Sequence, residues 1–92
     1  MAIVARRFII SGLVQGVGYR YFAQRAAAKH QVTGYVRNLA DGRVEALAQG
    51  NESSVSAFRD DLTAGSTASH VEQIEEIAVE FNKSYSAFRI ER

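Results

Sequence analysis

The chain has no cysteine and no proline. Without cysteine it can build no disulfide framework, no thiolate metal site and no cysteine nucleophile, a composition suited to a reducing compartment, so the expected location is cytoplasmic. Without proline, no loop is stiffened by a fixed φ, and loop rigidity must come from elsewhere. Charge of one sign is scarce as well. Eleven Lys and Arg against ten Asp and Glu give a formal +1, so neither a nucleic acid nor an anionic membrane is demanded as partner. Long apolar runs are missing too. Arg6 and Arg7 ahead of Phe8 to Val14 imitate a secretion signal, but the run is short and ends in Gln15-Gly16 instead of a cleavage site. No segment is long enough to span a bilayer.

What is present fits one small domain, residues 1–92, with 47% hydrophobic residues and the capacity to bury about two-thirds of its unfolded surface. Its charge is uneven. Through position 46 seven basic residues stand against two acidic ones, and beyond it four stand against eight. A field of that shape draws a small anion toward the N-terminal half.

That half contains Gln15-Gly16-Val17-Gly18-Tyr19-Arg20, at the junction where an apolar strand-like run stops and a helical pattern starts. Backbone N–H groups at a helix start have no partner within the helix, and the helix dipole places partial positive charge there. Two glycines let the main chain curl so that several N–H groups point at one centre, and Arg20 adds a planar fork of donors for a tetrahedral oxyanion. All six residues, Gln15 through Arg20, are therefore candidates for phosphate binding. The motif is neither a dinucleotide fingerprint, since Tyr21 stands where a third glycine would, nor a Walker loop, since no Gly-Lys-Ser/Thr follows. By itself the loop supports anion binding only; an arbitrary Gly-x-Gly is more often a plain turn.

The remaining pattern reads strand, helix, strand, strand, helix, strand, with a short extra strand at the C-terminal end. Arg6 to Val14 is apolar on both alternating faces and reads as a strand near the middle of a sheet. Phe22, Ala23, Ala26, Ala27 and His30 recur at helical steps and predict a helix over 20–31. Tyr35 to Asn38 looks extended, Asp41-Gly42 supplies a hairpin turn, and Val44 to Ala48 returns. Asn51 is the expected N-cap of a second helix through Val55, Phe58 and Leu62, ending near Gly65. Val71 to Phe81 predicts a strand with Ile74, Ile77, Val79 and Phe81 buried, and Ala87 to Ile90 a last short one with Phe88 and Ile90 inward. The sum is an α+β, ferredoxin-like βαββαβ sandwich, two helices on one face of an antiparallel sheet.

If the first two strands end at one mouth, Asn38 joins Arg20 there. An amide both donates to and accepts from a water molecule, placing it for attack on phosphorus. The loop contains no Cys, Ser, Thr, Asp or Glu, which disfavours a covalent phosphoenzyme and leaves attack by water. Asn38 is no strong base and no histidine is placed as an acid, so the leaving group must depart unprotonated. A carboxylate does, its acid having a pKa of about 4. Mixed anhydrides of carboxylic and phosphoric acids suit the site, and with no carboxylate cluster nearby no metal or other cofactor is expected.

Gly12-Leu13-Val14-Gln15-Gly16-Val17-Gly18-Tyr19-Arg20, followed by Gly34-Tyr35-Val36-Arg37-Asn38 and Asp41-Gly42-Arg43-Val44-Glu45, resembles the acylphosphatase family along nearly the whole chain. The resemblance implies a ferredoxin-like fold and metal-free hydrolysis of acyl phosphates to carboxylate and inorganic phosphate. It also implies that Arg20 binds phosphate and Asn38 orients the water. A small-molecule acyl phosphate and a monomeric chain, without nucleic acid or membrane, complete the expectation. Departures from the family pattern are His30 for a common leucine, Gln31 for a helix-ending glycine and Ala40 for a frequent proline; none touches the catalytic pair. His30 and His70, lacking evident carboxylate companions, are assigned to structure or surface, and Tyr19, Tyr21 and Tyr35 to packing. Arg37 and Arg43 are assigned to the solvated hairpin. A βαββαβ RNA-binding module would display aromatics on its central strands, and Arg43 to Ala48 offers none. A carbamoyl-phosphate-handling domain of a hydrogenase-maturation protein would be followed by cysteine-rich zinc segments.

Overall fold

The computed structural model describes residues 2–92; Met1, the first residue of the expected domain, lies outside the described residues. The chain runs β1 (Ile3–Leu13), α1 (Tyr19–His30), β2 (Thr33–Asn38), β3 (Val44–Asn51), α2 (Glu52–Ala64), β4 (His70–Ala78) and β5 (Phe88–Glu91). Five strands form one sheet in the order β4-β1-β3-β2-β5. The four long strands pair antiparallel, and β5 adds to β2 in parallel, so the sheet is mixed at that edge. The α+β, ferredoxin-like reading holds, with α1 packed on β2 and β5 and α2 on β1, β3 and β4.

β3 is the central strand, and every residue from Val44 to Gln49 is buried. Its helix-facing side chains are small. Ala46 and Ala48 meet Ala23 and Ala27 in one core cluster with Phe8, Ile10 and Phe58, and small side chains on both surfaces let helix and sheet approach closely. Phe58 anchors the second layer, its ring 6.3 Å from Phe8 and 5.5 Å from Phe88 between centroids.

Two details depart from the sequence reading. β4 stops at Ala78, and Phe81 is 53% exposed instead of buried. The cause is a hydrogen-bond exchange across the chain. Buried Gln49 accepts from the Asn82 N–H at 2.6 Å and donates to the Asn82 carbonyl at 2.9 Å, drawing the segment after Val79 away from the sheet edge before Phe81 can turn inward. Asn51 does occupy the N-cap of α2 but makes no side-chain capping bond; the Glu52 N–H instead donates to the Ala2 carbonyl.

Candidate active site

β1 and β2 both run antiparallel to β3 and hence parallel to each other. They are not neighbours, since β3 lies between them, yet their C-terminal ends reach the same edge of the sheet. This is how residues 15–20 and Asn38 come to share one end of the molecule.

Between β1 and α1 the main chain turns on Gly16 and Gly18, each at φ 76°, with Val17 between them outside the left-handed region. Alternation of that kind points successive N–H groups toward a common centre and makes an anion-binding concavity. Gly18 is also the N-cap of α1, so no side chain caps the helix start, and the first turn carries no acidic residue. The helix ladder begins with the Phe22 N–H on the Gly18 carbonyl. The amides of Tyr19, Arg20 and Tyr21 thus precede the ladder, and the first turn offers no anion of its own.

Two side chains fix this loop against the body of the protein. Tyr19 is buried, and its hydroxyl donates to the Leu62 carbonyl near the end of α2 at 2.7 Å; burial pushes its phenol well above the ordinary value. Gln15 spends both amide protons of Nε2, one on the Leu39 carbonyl at 2.8 Å and one on the Arg43 carbonyl at 2.9 Å. That side chain ties the loop to the β2–β3 hairpin, so its amide has no proton left for an anion and the only Gln15 donor remaining is the main-chain N–H.

A cavity of about 310 Å³ opens at this end, lined by Gly16, Gly18 and Arg20 of the loop and by Asn38 of β2. Of the six expected phosphate-binding residues, Gly16, Gly18, Tyr19 and Arg20 line it and Gln15 and Val17 do not. Arg20 is half-buried, and its Nη1 donates to the Glu91 carbonyl of β5 at 3.1 Å, leaving the other guanidinium donors for the cavity. Asn38 is also half-buried; its Oδ1 is buried and receives no hydrogen bond. An orphaned buried acceptor costs about 1–3 kcal/mol, and such a group is retained where something else has a use for it. Val14, Tyr21, Ile90 and Arg92 complete the wall. Sequence reading missed Ile90 and Arg92 at the site, because they arrive through the parallel pairing of β5 with β2.

The other residues singled out lie elsewhere. His30 does have a carboxylate companion: its Nε2 lies 2.9 Å from Asp61 Oδ2, tying the end of α1 to α2, with Lys29 3.5 Å from the same oxygen. His70 is exposed at the start of β4. Arg37 pairs with buried Glu45 at 2.6 Å and Arg43 with Asp41 at 2.8 Å, both beside the hairpin. Tyr35 stacks at 5.8 Å on Tyr85. Tyr21 is 61% exposed at the rim of the cavity, under the Arg25 guanidinium at 5.2 Å. Among the described residues no group of three or more His, Cys, Asp or Glu converges as metal ligands.

A sequence model of the family described as acylphosphatase matches residues 6–90. The chain belongs to the acylphosphatase family. An acylphosphatase from Solibacter usitatus is 51% identical over 86 residues, covering 94% of this chain and 88% of its own length. One from Actinobacillus succinogenes is 42% identical over 89 residues, covering 97% and 99%. The crystal structure of acylphosphatase from Bacillus subtilis matches with a TM-score of 0.92 at 37% identity, over 99% of this chain and 100% of that one. The chain is therefore an acylphosphatase, a hydrolase, built as two helices on a five-stranded mixed sheet.

Proposed function

We propose that this acylphosphatase splits acyl phosphates by direct attack of water in the Arg20–Asn38 cavity. The observation that carries the reading is the presence of both side chains on one cavity, beside a helix start with no side-chain cap and no acidic residue. The phosphoryl group binds against the amides of the Gly16–Gly18 turn and the first turn of α1, with the Arg20 guanidinium closing around its oxygens. Asn38 holds the attacking water; a water proton donated to Oδ1 satisfies the acceptor that the protein leaves unpaired.

Water oxygen bonds to phosphorus as the bond between phosphorus and the acyl oxygen breaks, and its electron pair leaves on the carboxylate. An acyl phosphate dianion plus water gives a carboxylate and dihydrogen phosphate. The transition state is loose, so the protein's part is to position the water and stabilise charge on the equatorial oxygens. Arg20 and the amides do the second, and the leaving carboxylate needs no acid. Phosphate-binding residues are thus Gly16, Gly18, Tyr19 and Arg20, with the main chains of Gln15 and Val17 shaping the turn, and Arg20 and Asn38 are the catalytic residues.

The reading extends to a metal-free, cofactor-free reaction, supported by the lack of a converging ligand set among the described residues. A monomer acting on small acyl phosphates in the cytoplasm, without nucleic acid, is in keeping with the cysteine-free, nearly neutral composition. No helix of the described residues is long and apolar enough to cross a membrane. The test is benzoyl phosphate hydrolysis with and without EDTA and with added inorganic phosphate. Turnover indifferent to EDTA and competitively inhibited by phosphate is expected; activity lost to the chelator would contradict the mechanism.

A further inference from the structure

The reaction above leaves one half of the substrate unplaced, the acyl chain. In-line displacement sets the leaving oxygen on the side of phosphorus away from the water. Asn38 enters the cavity from the sheet and Tyr21 from the helix, so the acyl group departs toward α1. Tyr21 also lines a second and larger cavity, of about 640 Å³, a groove between α1 and the strand β5. Its floor is apolar: Ala27, Ala28 and Val32 on one side, Ala87 and Phe88 on the other. Tyr21 therefore stands between the anion cavity and this groove, belonging to the wall of both.

We propose that the groove is an acyl-chain subsite and that this enzyme takes acyl phosphates with extended, unbranched hydrocarbon chains. The inference rests on the reaction proposed above and adds its substrate class. The dimensions agree. From Tyr21 to Ala28 the helix rises about 10 Å, the reach of a straight chain of roughly eight carbons. Volume falls within the range of small-molecule sites, which are mostly apolar with some polar groups. Here Gln24, Arg25, Gln31, Thr33 and Ser86 border the apolar floor, and the anion cavity adjoins it at Tyr21. Tyr21, with the Arg25 guanidinium over its ring at 5.2 Å, borders the first methylenes as the chain passes from one cavity to the other.

The test is a series of n-alkanoyl phosphates, acetyl, butanoyl, hexanoyl and octanoyl, kept below micelle-forming concentrations. Full burial of a methylene corresponds to about a four-fold gain; in a groove open along one side we expect about two-fold per methylene, hence kcat/KM rising roughly 60-fold from acetyl to octanoyl. Ala28→Glu, and across the groove Ala87→Glu in the bend just before β5, each put a carboxylate into the groove, and either one is expected to cut the octanoyl-to-acetyl ratio at least ten-fold. The second variant serves where the first misfolds. A flat series with acetyl phosphate turned over overturns the subsite and leaves the reaction standing, and so does a ratio untouched by both variants. A peptide β-aspartyl phosphate whose turnover, unlike that of the alkanoyl series, depends on Ala28 and Ala87 would assign the groove to a polypeptide strand on the β5 edge and likewise overturn it. No turnover of any member of the series would remove the proposed reaction itself.

Discussion

Tyr19 begins the helix that carries Arg20, yet its side chain faces away from the anion cavity, and Tyr19→Phe separates the two roles. The substitution deletes one hydroxyl and leaves the ring in its buried place. The lost partner is the Leu62 carbonyl, one of the last four carbonyls of α2, for which the helix itself supplies no donor. A net hydrogen bond is worth about 0.5–1.5 kcal/mol, and orphaning a buried acceptor raises the cost to about 1–3 kcal/mol. In a domain of this size each kcal/mol moves Tm by about 4–8 °C, so a fall of roughly 4–24 °C is expected. Burial raises the Tyr19 pKa, so the stabilisation is fully present below the unfolded phenol pKa of about 10 and is lost only as pH climbs toward the folded value. The gap between the two proteins should therefore hold from neutrality to about pH 10. Thermal unfolding by circular dichroism reads the first effect, and kcat measured well below Tm reads the second. A kcat loss of about ten-fold or more with Tm unchanged would place the hydroxyl at the reacting phosphate and refute the geometry argued here.

Further outcomes follow from the same structure. Arg20→Ala and Asn38→Ala should each lower acyl phosphate turnover by on the order of 10²–10³ with the unfolding transition retained; wild-type rates in either would defeat the mechanism. Gln31, the one non-glycine residue of the described chain at positive φ, ends α1 at φ 58°. Relief of left-handed strain, less the greater unfolded-state freedom of glycine, should make Gln31→Gly more stable by about 0.5–1 kcal/mol, readable in urea midpoints. Burial of Asp61 opposes its ionisation, but the His30 hydrogen bond and the Lys29 charge outweigh that and hold its pKa below the ordinary carboxylate value. Its contribution is present above the unfolded pKa and disappears as pH falls through the folded one. Asp61→Asn should thus cost at most about 1 kcal/mol near neutrality, with the difference closing below about pH 4; a constant difference down to pH 2 would exclude the ion pair as its source.

The glycine turn ahead of α1 was legible in the sequence because its ingredients are local. Gly16, Gly18 and Arg20 fall within five residues, and a strand pattern stops just where a helix pattern starts. The βαββαβ order followed from period together with turn, capping and β-branched residues, with boundaries off by a few residues at Ile3 and Ala78. Contacts formed across long separations were not legible. The His30–Asp61 pair joins two helices, the Gln49–Asn82 exchange shortens β4, and the pairing of β5 with β2 brings Ile90 and Arg92 to the cavity. None of these leaves a mark in the periodicity of either partner. Gln15 shows the same limit within the motif: its place in the loop was plain, whereas the hairpin carbonyls that claim its side chain lie 24 and 28 residues further along.

Because that link from loop to hairpin is made by a neutral amide, it does not respond to ionic strength. Added salt screens the pull between a phosphate dianion and the basic half of the protein, while the spacing that holds Arg20 and Asn38 on a common cavity is unaffected. Salt should therefore appear in KM and leave kcat nearly level.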